Sequence, residues 1–220
     1  FKVQRYTKPV TCMKLKENDR VVSVEFNNDE NVFIATHLGY GLKYKTEEIP
    51  VTGLRSAGVK SISLKNDFVV SAHIYGNEDM LTVITAKGTA KRVRLLEFET
   101  TSRARKGVLL VRDVKTNPYY IYKTFIINNK TMLTYKTKDE LINIKITEFP
   151  IADRYSTGSQ FTKQQLLDVF TSKELEEIGK EIVSVKNEEI VEEPISEEIS
   201  LESIDERIMT IDDFLDNFDI

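Results

Sequence analysis

The chain has one cysteine, no tryptophan, two histidines and five prolines in 220 residues. A lone Cys12 excludes an internal disulfide and a cysteine-rich zinc site. Beside Val10 and Met13 it reads as a small buried apolar residue, in keeping with a reducing cytoplasm. His37 and His73 lie in or beside predicted strands, without the spacing of a metal pair or a catalytic triad. No apolar run approaches the roughly 18 residues of a membrane-spanning helix. The start, Phe1-Lys2-Val3-Gln4-Arg5, has no signal-peptide pattern and no initiating Met, which predicts a segment cut from a longer protein.

With 40% hydrophobic and 30% charged residues, the chain can bury an ordinary globular core. The net charge of −4 hides a division. Residues 173–220 hold 17 acidic and 4 basic side chains, leaving 18 acidic and 27 basic in residues 1–172, so a −13 tail follows a +9 body. A basic body with an acidic tail suggests nucleic-acid contact under electrostatic control, against the plainer reading of two solvated surfaces.

Internal repetition organises the body. Thr36 and Thr85, Gly39 and Gly88, Ile49 and Phe98, and Gly58 and Gly107 are each 49 positions apart. Val32-Phe33-Ile34-Ala35 precedes one turn glycine and Leu81-Thr82-Val83-Ile84 the other, both with the β-branched content of buried strands. Each glycine fits the left-handed position of a hairpin turn. A weaker third copy runs from Met132 through Glu148-Phe149 to Gly158, with Asp139-Glu140 in place of the turn glycine. The chain also opens inside a copy, since Asp19-Arg20-Val21-Val22 parallels Asp67-Phe68-Val69-Val70. A period near fifty with several short strands predicts an all-β, propeller-like array. Its blades are 30–79 and 80–130, with partial copies at 1–29 and 131–160. Single blades cannot bury both faces, so neighbours must stack.

Each unit also carries basic features. A basic strand follows the turn glycine: Lys43-Tyr44-Lys45, then Lys91-Arg92-Val93-Arg94. A basic glycine box comes next: Leu54-Arg55-Ser56-Ala57-Gly58-Val59-Lys60, then Ser102-Arg103-Ala104-Arg105-Lys106-Gly107. Cations beside a glycine that admits an anion to backbone N–H groups suit phosphate contact without base readout. An isolated basic loop is more often merely solvated.

The order strand, Thr-x-x-Gly, basic strand, Glu-Phe step, basic glycine box, then Leu64-Lys65-x-Asp67 resembles the C-terminal domain of the A subunit of bacterial type II topoisomerases, DNA gyrase and topoisomerase IV, over residues 1–160. The resemblance implies a β-pinwheel, a propeller-like disc whose blades exchange hairpins and whose basic rim bends DNA. The gyrase box Q-R-R-G-G-K-G is not reproduced; Gln4-Arg5-Tyr6-Thr7-Lys8 is its nearest start, which tilts the resemblance toward topoisomerase IV. It implies that this segment is non-catalytic and holds no cofactor. ATP and Mg would act on other domains of a parent isomerase that changes DNA topology, by decatenation or relaxation, during chromosome segregation. Implied partners are duplex DNA, the ATPase B subunit, and the rest of the A subunit, in the bacterial cytoplasm on the chromosome and without membrane contact. The expected phosphate contacts are Lys43, Lys45, Arg55, Lys60, Lys91, Arg92, Arg94, Arg103, Arg105 and Lys106. The rival readings are a gyrase wrapping domain, a protein-interaction propeller and, weakest, a stand-alone enzyme.

Tyr119-Tyr120-Ile121-Tyr122 could stack on bases, but cross-strand packing is the better expectation. In the tail, Thr162-x-x-Gln165 and Thr171-x-x-Glu174 read as capping boxes of short helices within 161–180. Residues 186–206 are Glu-rich and predicted to be disordered within an acidic tail, 181–220. Ile211, Phe214, Leu215 and Phe218 share one helical face, predicting a terminal amphipathic helix over 210–219 that folds back on the basic rim or docks on a partner, against the equal alternative of a disordered solubilising tail.

Overall fold

The computed structural model describes residues 11–26, 28–53 and 55–179. The described residues up to Leu175 form one compact unit, which holds the three sheets seen among them. The expected acidic tail and its terminal helix lie outside the described residues.

Three antiparallel sheets follow one another along the chain. The first takes β1 (Asn31–Thr36), β2 (Tyr40–Lys45), β3 (Val69–Tyr75) and the two-residue β6 (Val108–Leu109), in the order β3-β1-β2-β6. The second takes β4 (Met80–Thr85), β5 (Thr89–Arg94), β7 (Ile121–Phe125) and β10 (Ser159–Gln160), ordered β10-β5-β4-β7. The third joins β8 (Met132–Lys136), β9 (Leu141–Lys145) and β11 (Asp168–Thr171), ordered β11-β8-β9. The architecture is the all-β, propeller-like array that the repeats predict.

The period-two rule explains the stacking. Five of the six residues of β1 are buried, because its two faces feed different cores. Phe33 and Ala35 enter one cluster with Leu81, Val83 and Val93 of the second sheet, while Val32 and Ile34 enter another with Leu42 and Ile62. On β4, Leu81 and Val83 face back to the first sheet, whereas Ile84 faces Leu133, Tyr135 and Phe149 on the third-sheet side. Each central strand therefore glues two blades. Phe98 and Phe149, the aromatic members of the repeated Glu-Phe step, are 2% exposed and close these cores behind short 3-10 turns at Leu95–Glu97 and Ile146–Glu148.

The hairpin signature has a direct physical reading. Gly39 and Gly88 have φ of +91° and +72°, and their N–H groups bond the carbonyls of Thr36 and Thr85 at 3.0 Å. The threonine hydroxyl then accepts the N–H four residues on, from Tyr40 at 3.0 Å and from Thr89 at 3.3 Å. In the third copy the loop is one residue shorter, and Thr137 pairs directly with Glu140. No glycine is needed there.

Several expectations give way. A sequence unit is not a sheet, since the edge strand after each box pairs with the preceding hairpin: β6 on β2 and β10 on β5. Among the described residues of the first partial copy, 11–26 form no strand. Cys12 is exposed on that segment, which bonds the body through Lys14 N–H to Ser56 O at 3.1 Å and Ser23 Oγ to Ala72 O at 3.2 Å. The first expected helix, capped at Thr162, is absent. Leu166 and Val169 are drawn into the third core, and 168–171 pair with β8 as β11. Burial of Leu166 and Val169 together with pairing on β8 outweighs the local capping signal. The second box does open a helix, α1 over 172–179. Thr171 N–H donates to Glu174 Oε2 at 2.6 Å and Glu174 N–H to Thr171 Oγ1 at 3.2 Å.

Candidate nucleic-acid interface

The box at residues 101–107 runs along the outer edge of β2, with Thr101 N–H on Lys43 O at 2.9 Å. Its two left-handed residues are Ala104, at φ +63°, and Gly107, at φ +80°. A Cβ on Gly107 would lie 2.3 Å from Gly41 O, so glycine is required for close packing on β2. Gly158 repeats this, its added Cβ falling 2.6 Å from Ala90 O. At Gly107 and Gly158 strand-to-strand approach, rather than access of an anion to backbone N–H groups, requires the glycine, while an added Cβ on Gly58 would meet no atom within 4 Å.

Within this box the three cations differ in role. Arg103 faces inward: Nε donates to Glu48 O at 3.1 Å, Nη1 to Lys60 O at 2.8 Å, and its backbone N–H to Glu48 Oε2 at 2.8 Å. Arg105 and Lys106 are exposed. Arg105 Nε reaches only Ser102 Oγ at 3.3 Å, and Lys106 Nζ sits 4.3 Å above the Tyr40 ring. Arg103 anchors, while Arg105 and Lys106 are presented. Both presented cations line a groove with Lys43, Ser102 and Arg154. Glu97 and Glu99 also line it, so the groove is mixed in sign.

The remaining expected contacts sort by burial. Lys43 is partly buried, its Nζ 3.4 Å from Leu95 O; burial and then neighbouring Lys45 hold its pKa below the usual lysine value. Lys45 pairs with Glu30 at 3.2 Å on the surface. Arg55, at φ +64°, and Lys60 are exposed in the first box. Arg92 is committed to neighbouring loops through Phe149 O at 2.9 Å and Asn129 Oδ1 at 3.3 Å. Arg94 is exposed beside it in a second groove, with Asn77 and Asp79.

Lys91 does not fit the expectation. It is 1% exposed, and Nζ donates to the carbonyls of Asp153, Arg154 and Ser156 at 2.9, 2.8 and 2.6 Å. Burial pulls its pKa down to about 8, against the opposing pull of Asp153 and Glu97. At neutral pH it remains an ammonium whose three N–H groups match three carbonyls. Alternation on β5 explains the inward turn, since Lys91 and Val93 share a face while Arg92 and Arg94 share the other.

Arg154 lies outside the expected set. Its backbone N–H donates to Glu97 Oε2 at 2.8 Å and its Nη1 to Leu109 O at 3.0 Å, repeating the bonds of Arg103. The match of Gly158 with Gly107 is the signal that leads to it. Where Arg105 and Lys106 precede Gly107, the third box has Ser156 and Thr157 before Gly158, with Tyr155 directly after the arginine. The guanidinium instead covers the Tyr155 ring at 4.5 Å.

The aromatic residues serve packing. His37 is sandwiched between Phe68 and Tyr120, with both ring centroids at 4.6 Å. Ile121 is fully buried, and Tyr119 packs against the same core. Among the described residues no group of His, Cys, Asp and Glu could hold a metal ion, and no helix is long and apolar enough to cross a membrane.

Comparison with known proteins agrees with this architecture. A family model described as the DNA gyrase C-terminal domain, beta-propeller, matches residues 1–28, 30–75 and 79–118. The A subunit of DNA topoisomerase 4 from Bacillus subtilis (strain 168) is 40% identical over 168 residues, which cover 75% of this chain and 21% of the relative. The Staphylococcus aureus (strain MRSA252) protein of the same name is 35% identical over 162 residues, 72% of this chain and 20% of its own length. The chain thus spans about a fifth of the length of these relatives. Among solved structures, the C-terminal domain of DNA topoisomerase IV superposes with a TM-score of 0.71 at 31% identity, over 86% of this chain and 61% of that one. A DNA gyrase A C-terminal domain gives 0.65 at 17% identity, over 74% and 57%, a likeness of fold. The chain belongs to the DNA gyrase C-terminal domain family, and its resemblance is greater to the topoisomerase IV members.

Proposed function

We propose that this chain is the non-catalytic DNA-binding and DNA-bending domain of a type II topoisomerase A subunit of the topoisomerase IV kind. The observation that carries the reading is the box at 101–107, which ties one half-buried arginine down as an anchor and leaves Arg105 and Lys106 exposed at a sheet edge. Cations so held can meet phosphates without reading bases. The surrounding exposed cations, Arg55, Lys60 and Arg94, give the same body further phosphate contacts. Bending a 20–30 base-pair site costs about 1–6 kcal/mol, so several contacts must act together.

In this reading the domain supplies geometry. It presents a DNA segment to the cleavage core carried by the rest of the A subunit, for decatenation or relaxation, on the bacterial chromosome in the cytoplasm. ATP and Mg serve the parent enzyme on other domains and on the B subunit. Support comes from the family membership and from the net +9 charge of residues 1–172. The test is energy transfer between dyes at the two ends of a short duplex, titrated with the full chain. The expected result is an end-to-end approach that saturates with binding. Binding without approach would remove bending, and no binding would leave the rival protein-interaction propeller.

A further inference from the structure

Two glutamates occupy equivalent places in consecutive repeats, Glu48 and Glu97, 49 positions apart. Each carboxylate accepts a backbone N–H from the box that packs on its own blade, Glu48 Oε2 from Arg103 and Glu97 Oε2 from Arg154, both at 2.8 Å. In each case the arginine then reaches a carbonyl of the preceding box or its edge strand: Lys60 O at 2.8 Å and Leu109 O at 3.0 Å. Lys60 and Leu109 are again 49 apart. The arrangement is one clamp, built twice.

The first copy of the clamp holds the box that presents cations. Directly after Arg103 comes Ala104, a non-glycine residue at φ +63°, a conformation that L residues keep only when their surroundings impose it. Ala104 N–H bonds Ser61 O at 2.7 Å, and Arg105 O accepts Ser63 N–H at 2.8 Å. The Glu48 carboxylate fixes the amide at the entrance to this turn. Arg105 and Lys106 leave the turn on its far side, so their direction is set by the backbone that Glu48 holds.

We infer that Glu48 is a positioning residue for DNA binding: an acidic side chain whose carboxylate, by holding the Arg103 amide, aims Arg105 and Lys106 at the phosphates. The inference rests on the proposed DNA-binding function. It also opposes simple electrostatics, in which deleting a negative charge beside a cationic surface tightens DNA binding.

Two variants of the full chain separate the effects, because they change charge equally. Glu48→Gln keeps an acceptor oxygen for the Arg103 N–H, whereas Glu48→Ala removes it. Duplex DNA affinity is measured against salt for both and for wild type, with amide hydrogen exchange of the 101–107 segment as a second readout. The expected result for Glu48→Ala is several-fold weaker binding, a shallower salt slope and faster exchange in the box. Glu48→Gln should stay within about twofold of wild type, with the box protected. Equal tightening in both variants would overturn the inference, as would a box equally protected in wild type and Glu48→Ala. The exchange readout stands apart from DNA. If wild type does not bind duplex DNA at all, the functional reading fails, while loosened exchange in Glu48→Ala still identifies the clamp.

Discussion

The His73 imidazole Nε2 lies 3.0 Å from the Thr124 hydroxyl, joining β3 of the first sheet to β7 of the second. Thr124 N–H also donates to Ser71 Oγ at 2.9 Å, so the seam between blades is polar along this line. Burial drives the His73 pKa down to about 4; the backbone of Thr124 opposes this and nearby Lys123 adds to it. The folded state therefore keeps His73 neutral, while the unfolded chain takes up a proton below its ordinary value near 6.5. Protons bound preferentially by the unfolded state favour unfolding. The His73 contribution is thus intact above pH 6.5 and is lost as pH falls from about 6.5 to about 4, by at most about 3 kcal/mol. Urea unfolding at pH 7 and pH 4.5 checks this: wild type should lose more stability than His73→Gln over the interval.

Lys91 makes an opposite kind of prediction, since its sequence context is basic but its ammonium is internal. The same position in the first repeat is Leu42, which needs no such partner. Lys91→Met should strand the carbonyls of Asp153, Arg154 and Ser156 and cost about 2–5 kcal/mol. It should not change the salt slope of DNA binding in protein that remains folded. Thermal unfolding and a salt titration of the same sample read both parts.

The box glycines predict a graded pair. Gly107→Ala combines a φ of +80° with a Cβ at 2.3 Å from Gly41 O, and should cost about 2–4 kcal/mol by prising β6 from β2. Gly58→Ala faces a φ of +76° but no atom within 4 Å, leaving backbone strain of about 1–2 kcal/mol. Denaturant midpoints of the two variants test the order. Equal losses would show that close packing contributes nothing at Gly107.

Much of this fold is legible in the sequence because it is written repeatedly. Thr36 and Thr85 with their glycines give the hairpins, and the apolar runs of β1 and β4 give the central strands. Strand exchange is not legible from the residues alone. Val108-Leu109 follows its box in sequence, yet nothing local says that it pairs with a hairpin some seventy residues earlier. The same gap hid the anchoring role of Arg103, whose partners Glu48 and Lys60 lie 55 and 43 positions away. Lys91 misled for a different reason: the successive basic residues Lys91 and Arg92 of β5 point to opposite faces, and charge alone does not say which face is wet. In the tail, Thr162 shows that a capping signal yields when Leu166 and Val169 can be buried.

Arg103 and its two neighbours should separate cleanly. Arg103→Ala removes an anchor from Glu48 O and Lys60 O, and should lower stability by about 1–3 kcal/mol together with DNA affinity. Arg105→Ala with Lys106→Ala should leave the stability within about 0.5 kcal/mol of wild type while weakening DNA binding. Calorimetry on the two variants distinguishes anchor from contact.

The central claim is that exposed cations of one box, set by their anchored neighbour Arg103, meet DNA phosphates. The most direct measurement is the dependence of duplex affinity on salt for wild type and for the Arg105→Ala, Lys106→Ala double variant. Each phosphate contact contributes about 0.9 to the slope of log K against log salt, so the double variant should be shallower by about 1.8. An unchanged slope would contradict the claim.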